Sequence, residues 1–551
     1  MKTRNILNNK YYLYLTEFFA GMAVMAVEQG ASRLLAPYFS SSQIVWTIII
    51  GTIMIAMALG NIYGGRQADK DPNPAKLYRW VIIAAVWIAA IPVLGKYVIL
   101  GIAGVMVIAV NTNFLIWAAF LACMIIFVFP LFLLGTVTPC LSKYTMDSLS
   151  DNGRIVGTLG ACNTIGSILG TFLPTFITIP AAGTAVTFLI FSGVLLVLGL
   201  VYFAVNGGGR KLAAVGTVLF LLCSIFGNQD HFAFWQNDLA YEGESVYNYL
   251  QVRDGDRATI LSTNVLFGVQ SIRMKHDNLT GMYYDYALAA PVMAGMEPAK
   301  DGQTLTEKGV DKDQDGSEPK SLLILGMGTG TFAEQAQKYF QNVDIKGVEI
   351  DQKITNLAHR YFALPKEIPV TTYDGRAYLN ADSGTYDVIM VDAYQDITIP
   401  FQMSSKEFFR LVRQHLKPGG VMVVNMNMIS QQKDGITDWL SDTISKEFSE
   451  VYKADVAGST NRELFASNDP TLMRKLPDRI STIKDPELRD MMGLVAGQMV
   501  RWQPEDRVLT DDRAPVELLG IRTIDDLIKG EIGFYKEAFQ KGGIRGLLKV
   551  L

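Results

Sequence analysis

Four segments between residues 321 and 395 constrain the fold of this chain more than anything else in it. They read SLLILGMGTG, GVEID, TTYDGRAYL and YDVIMVDAYQ, in that order. The first is an apolar strand that enters a glycine-rich turn carrying Gly326, Gly328 and Gly330. About twenty residues later a second strand ends on Glu349, the spacing of the strand-end acid in dinucleotide-type sheets. The third segment ends on Asp374-Gly375, and a fourth apolar strand ends on Asp392. Each acid falls at the carboxyl end of a strand, where open α/β sheets bind ligands. The glycines let the backbone approach a ligand, and the helix that follows offers its N-terminus. Glu349 is placed to accept hydrogen bonds from ribose hydroxyls. Asp374, ahead of Gly375, could accept from an adenine amino group. A glycine turn alone is a weak signal; the ordered acids behind it point to a nucleoside site.

The first 228 residues belong to a different class. They hold 13 Lys/Arg and 6 Asp/Glu, leaving 36 and 47 for the rest of the chain. An apolar half is thus joined to an acidic, soluble-like half. That balance excludes a nucleic-acid binder, which would need a basic soluble domain. Apolar runs occur near 12–30, 44–63, 80–110, 114–137, 156–179, 184–206 and 211–227. Most reach the roughly 18–20 residues that cross a bilayer. The run at 80–110 is too long for one simple span, and Lys96 near its middle marks a hairpin. Seven or eight spans in a lipid bilayer are expected. The first run is not a cleavable signal peptide, because no small-residue cleavage site stands out and further spans follow. The basic residues Arg66, Lys70, Lys76 and Arg79 place their loop inside. An even span count then returns the soluble half to the cytoplasmic side of the cell inner membrane. Arg210 and Lys211 argue the other way. Gly60 and Gly64, and Gly166 and Gly170, are small-xxx-small pairs that let helices pack closely. Glu17 and Glu28 lie in the first run, where a carboxylate is costly and often functional. Glu28 reads either as a cation attractor or as an interfacial partner of Arg33.

The expected organisation is a transmembrane domain at 1–228, a small antiparallel β domain at 229–297, an acidic linker at 298–320 and a Rossmann-like nucleoside-binding domain at 321–551. YNYLQVRD, RATILST and VQSIRMKH supply the β domain, with Asp254-Gly255 as a turn and a helix from Tyr283 to Met293. LKPGG at 416–420 reads as the turn before the strand VMVVNMN. In the linker, Asp311, Asp313, Asp315 and Gly316 match the opening of a calcium loop, but its twelfth position is Leu322 rather than Glu. The four cysteines lie in or beside apolar runs without a CxxC pair, and the four histidines show no ligand spacing, so no catalytic metal is expected.

Further motifs give a family resemblance. ESVYNYLQV at 244–252 is similar to the opening ES-Y strand of the spermidine synthase family, and GVQS at 268–271 to its Gly-x-x-Gln-Ser/Thr turn. Tyr284-Asp285 sits where that family begins a helix with Tyr-His or Tyr-Gln. GMGTG, VEID, YDG and YDVIMVD follow in the family order. LTDDRAPVE at 509–517 and GGRQAD at 64–69 resemble the membrane-fused bacterial relatives. The resemblance implies a multi-span α-helical membrane domain followed by a small β-sheet domain and an α/β Rossmann-like methyltransferase fold. It implies transfer of an aminopropyl group from decarboxylated S-adenosylmethionine to a small-molecule di- or polyamine, and it leaves a homodimer open. Glu349 would then hold ribose and Asp374 adenine. Gln270 and Tyr284 would lie near the transferred group or the acceptor. Two positions depart from the pattern. Thr329 stands where the family has an Asp in its glycine turn, and Gln395 where it has the second Asp of Asp-x-x-Asp. Asp392 matches the first Asp, and Asp396 or Tyr394 would take the role missing at Gln395. Thr329 suits a methyl donor, S-adenosylmethionine, so a methyltransferase is the alternative; a non-catalytic polyamine-binding or transport protein is another.

Overall fold

A computed structural model describes residues 10–39, 42–109, 114–145, 152–228, 231–234, 236, 238–265, 269–299, 318–393, 399–427, 429, 433–523 and 541. The chain divides into two compact units. One runs as far as Gln236 and takes in 242–249 and 264–266; the remainder forms the other.

The first unit is helical: α1 (Lys10–Phe39), α2 (Gln43–Lys70), α3 (Pro74–Ala109), α4 (Phe114–Ile126), α5 (Val128–Gly135), α6 (Val137–Thr145), α7 (Asn152–Leu173), α8 (Ile179–Asn206) and α9 (Arg210–Phe226). The hairpin expected at Lys96 does not form, because α3 continues through that residue. The Lys96 ammonium is instead satisfied by the His231 carbonyl at 2.8 Å. Among the described residues, three stretches are long and apolar enough to cross a membrane: Gln43–Lys70, Pro74–Met106 and Gly153–Asn206. The pair Leu115–Ile126 and Val128–Thr145, bent by 50°, makes a fourth if counted as one span. This is fewer than the runs in the sequence for physical reasons. Polar residues such as Glu17, Glu28 and Gln29 dilute α1, and α9 has only 17 residues. The runs at 156–179 and 184–206 are joined through a π-helical turn, Pro174–Thr178, with Gly183 at φ 87° as the kink. The glycine pairs do what their spacing suggests. A Cβ on Gly166 would lie 1.9 Å from the Phe18 carbonyl oxygen, and one on Gly60 2.3 Å from that of Phe132. Only glycine permits those two helix crossings. Glu17 is fully buried on α1, accepting from Thr138 Oγ1 of α6 at 2.6 Å and Asn163 Nδ2 of α7 at 2.8 Å. Arg33 donates to the Ser245 carbonyl at 3.1 Å and also to that of Val246.

Beyond the helices, β1 (Leu239–Glu244), β2 (Tyr249–Asp254), β3 (Ala258–Ser262) and β4 (Ser271–Met274) form a sheet in that order. The expected helix at Tyr283–Met293 is two short ones, α10 (Tyr283–Ala287) and α11 (Ala289–Met293). Then come β5 (Lys320–Leu325), α12 (Thr331–Tyr339), β6 (Val343–Glu349), α13 (Gln352–Tyr361), β7 (Val370–Thr372), α14 (Gly375–Ala381) and β8 (Tyr386–Val391). They are followed by α15 (Lys406–Gln414), β9 (Leu416–Met426), α16 (Ile436–Ser445), β10 (Glu450–Asp455), β11 (Arg462–Ser467), α17 (Leu472–Ser481), α18 (Pro486–Gln498) and β12 (Val500–Arg501). LKPGG is not a separate turn but the irregular start of β9, with Gly419 at φ 76°.

The strands form one eight-stranded sheet in the order β12-β10-β11-β9-β8-β5-β6-β7. β5 through β9 run parallel, and β10, β11 and β12 are antiparallel additions. The central strands carry apolar residues on both faces, as parallel strands covered by helices must. Leu322, Ile324, Val388, Met390, Val421 and Val423 pack on one side. Their sequence neighbours Leu323, Leu325, Ile389, Val391, Met422 and Val424 pack on the other. The chain runs outward from β5 to β6 and β7, then returns to β8 on its other flank. That reversal between β5 and β8 is the kind of switch point at whose carboxyl ends open α/β sheets bind ligands.

Candidate functional site

The turn after β5 needs its glycines for conformational and steric reasons. Gly326, Gly328 and Gly330 have φ of 87°, 55° and 89°, a region that side-chain-bearing residues avoid. A Cβ on Gly326 would lie 2.3 Å from the Asp392 carbonyl oxygen, and one on Gly328 2.5 Å from Ser271 Oγ. The turn is therefore pressed against the end of β8 on one side and the start of β4 on the other. Ser271 Oγ also accepts from Thr329 N at 3.2 Å. The Thr329 hydroxyl itself is buried and has no partner among the described residues.

Glu349 closes β6 beneath this turn. Its carboxylate accepts from Gly328 N at 2.9 Å and Asp351 N at 3.0 Å, one on each oxygen. Each oxygen keeps a second lone pair, the capacity that a vicinal diol requires. Burial pushes its pKa up to about 7, against the opposing backbone hydrogen bonds. Asp374 is half-buried and caps α14, accepting from Ala377 N at 2.8 Å. Gly375 follows as the first residue of that helix. The closing LTDDRAPVE motif reaches the same helix: Arg376 grips Asp511 with two bonds of 2.6 Å. That contact ties the segment at 511 to α14 and is structural.

Asp392 follows β8 and is buried, with both oxygens engaged. Oδ2 accepts from the Tyr283 hydroxyl at 2.7 Å, and Oδ1 from Asn425 Nδ2 at 2.9 Å. Burial raises its pKa to about 7, although both hydrogen bonds favour the charged form. Asn425 Oδ1 in turn accepts from Asn461 Nδ2 at 2.9 Å. The expected Tyr284 lies one residue away and does something else. Its hydroxyl donates to the Gln270 carbonyl at 2.8 Å, while its ring lies 4.0 Å from that of Tyr283. Gln270 is half-buried, and its N–H donates to the Leu261 carbonyl at 2.9 Å. Asp285 accepts from Thr280, Gly281 and Gln335, a loop-holding role.

The structure thus gathers Gly326, Gly328, Gly330, Glu349, Asp374, Gly375 and Asp392 at the carboxyl edge of one sheet. Gln270 and Tyr284 adjoin the turn through Ser271. Tyr394, Gln395, Asp396 and the calcium-like segment 311–316 lie outside the described residues. Sequence reasoning missed Tyr283, Asn425, Asn461 and Glu463. A hint existed for the last, since Glu463 leads directly into the apolar run Leu464-Phe465-Ala466. Among the described residues no group of three His, Cys, Asp or Glu side chains could hold a metal ion.

The spermine/spermidine synthase domain family model matches residues 308–457. A protein of Bifidobacterium longum named as a probable polyamine aminopropyl transferase is 48% identical over 369 residues, covering 64% of this chain and 78% of its own. A polyamine aminopropyltransferase of Vibrio vulnificus is 25% identical over 214 residues, 36% of this chain and 70% of its own. The solved spermidine synthase from Thermotoga maritima aligns at 17% identity with a TM-score of 0.35, covering 48% of this chain and 89% of its own.

Proposed function

Since the chain belongs to the polyamine aminopropyltransferase family, we propose that it transfers the aminopropyl group of decarboxylated S-adenosylmethionine to a di- or polyamine. The chain is a transferase by that membership. The observation that supports the donor half is Glu349, whose two oxygens keep spare acceptor capacity directly beneath the glycine turn. Asp374 stands on the neighbouring strand end, where it can accept from an adenine amino group while still capping α14.

The reaction needs positioning more than covalent help from the protein. An uncharged amine nitrogen attacks the carbon bonded to the sulfonium sulfur. The C–N bond forms, the C–S pair returns to sulfur, and the product is a thioether, methylthioadenosine. The new ammonium then loses a proton. Asp392 suits the amine side: it is a buried carboxylate oriented by Tyr283 and Asn425, and its backbone carbonyl oxygen lies against the turn, 2.3 Å from where a Cβ on Gly326 would stand. A carboxylate held there orients a cationic amine and accepts its proton. Tyr394 and Asp396, two and four residues on in the sequence, are the further candidates for that proton transfer. In this reading the apolar helices anchor the enzyme in the cell inner membrane with the catalytic unit on the cytoplasmic side, and no metal takes part.

Calorimetry with methylthioadenosine tests the donor site. Glu349→Ala should weaken binding by about 1.5–3 kcal/mol, the worth of a hydrogen bond to a charged group. Equal affinity of variant and parent would sink the ribose assignment.

A further inference from the structure

Glu463 is the side chain that the site, as described so far, leaves unexplained. It is fully buried on β11, and neither of its carboxyl oxygens has a hydrogen-bond partner among the described residues. Leaving a buried carboxyl without donors is costly, so such groups have a reason to persist.

Its position follows from sheet register. Glu463 pairs directly with Asn425 across the β9–β11 ladder, and directly paired residues point to the same face. Asn425 donates to Asp392 at the end of β8. β8 and β9 are parallel and β11 runs against them. Asp392, Asn425 and Glu463 therefore form one row across three adjacent strands, all at the edge that carries the glycine turn. The face is the one packed by Tyr283 and Tyr284, since Val423 and Phe465, two residues along each strand, share a core with both rings. Asn425 makes no hydrogen bond to Glu463: its amide nitrogen is turned to Asp392 and its oxygen accepts from Asn461. On the far side, the β10 partner of Glu463 is Ala454, which has no polar side chain to offer. What Glu463 lacks is a hydrogen-bond donor, and a cationic one would relieve the repulsion between two buried acids. Burial and the neighbouring Asp392 both push the Glu463 carboxyl well above its ordinary range, in keeping with an acid awaiting a cation or a proton.

We propose that Glu463 is a specificity-determining residue of the acceptor pocket, pairing with the non-reacting ammonium of a diamine or longer polyamine while Asp392 orients the reacting nitrogen. This rests on the aminopropyl-transfer reading above. One nitrogen of the acceptor must be uncharged to attack, whereas the other keeps its proton and needs a counter-charge. Two carboxyls separated by one asparagine supply both functions on one sheet edge.

The test uses the full-length protein, decarboxylated S-adenosylmethionine, 1,4-diaminobutane and butylamine, which lacks the second ammonium. Glu463→Gln keeps the shape and removes the charge. The preference for diamine over monoamine, as a ratio of kcat/KM, should fall roughly tenfold or more, mainly through the diamine KM. An unchanged ratio would overturn the proposal, as would a fall in kcat common to both amines. Should Glu463→Gln fold poorly, Glu463→Leu, which suits an apolar core, carries the same comparison. If the parent transfers to neither amine, the aminopropyl-transfer reading fails by itself. Calorimetry of 1,4-diaminobutane onto the methylthioadenosine-bound protein then decides on Glu463. Binding by the parent that Glu463→Gln weakens tenfold supports the assignment; no binding, or equal binding, overturns it.

Discussion

At the scale of single residues, the proposed chemistry rests on Asp392 and on Tyr283 beside it. The Tyr283 hydroxyl is buried and its ionisation is strongly disfavoured, first by desolvation and then by the charge of Asp392. It therefore acts as a fixed donor that orients the carboxylate. Tyr283→Phe should lower kcat/KM for amine transfer by about 10–100-fold, the worth of a hydrogen bond to a charged group. Tyr284→Phe should cost less, because its hydroxyl donates to the Gln270 carbonyl and not to Asp392. A steady-state comparison of the two variants settles which tyrosine matters. The raised pKa of Asp392, about 7, gives a second check. Its working form is ionised, so kcat/KM should rise as pH climbs through about 7. Stability moves in the opposite direction. The folded protein holds this proton more tightly than the unfolded chain, so ionising Asp392 lowers stability from about pH 4 to about pH 7. Glu349 and Asp392 were legible in the sequence because each ends an apolar strand. The choice between Tyr283 and Tyr284 was not, because a five-residue helix offers too little periodicity to say which ring faces the sheet. Glu463 was hidden for a different reason. Its neighbour Asn425 comes from the antiparallel pairing of β11 on β9, a register that no local motif announces.

Among elements, the glycine turn is the least tolerant. Gly326 combines φ of 87° with a Cβ position 2.3 Å from the Asp392 carbonyl. Gly326→Ala should destabilise the fold by about 1–3 kcal/mol through backbone strain alone. The clash should also displace Asp392, so transfer should fall further than stability does. Thermal melting alongside the transfer assay checks this; an active Gly326→Ala protein of parental Tm would contradict it. Element reading from sequence worked where one period dominated. The strands β5, β6 and β8 alternate between two cores, and their apolar runs show it. It failed where tertiary context overrode a local breaker. Lys96 did not turn α3, because a carbonyl near the helix satisfies its ammonium. Pro418-Gly419-Gly420 did not delay β9, because the strand absorbs the irregularity beside Tyr386 and Val388.

At the scale of the whole molecule, two units of different character share one chain. The helical unit holds three stretches, or four, with the length and apolarity to cross a bilayer, and the other carries the sheet and its site. Basic residues at 66–79 argue for a cytoplasmic catalytic unit. A C-terminal reporter that is active only outside the cytoplasm should therefore stay silent, and strong activity from it would reverse the topology. The central claim concerns the group that is transferred. It is tested most directly by incubating the purified protein and 1,4-diaminobutane with either decarboxylated S-adenosylmethionine or S-adenosylmethionine, each labelled in its transferable group, and following the label by mass spectrometry. The account predicts aminopropylated amine together with methylthioadenosine from the decarboxylated donor alone. Methylated amine from S-adenosylmethionine, with no product from the decarboxylated donor, would contradict it.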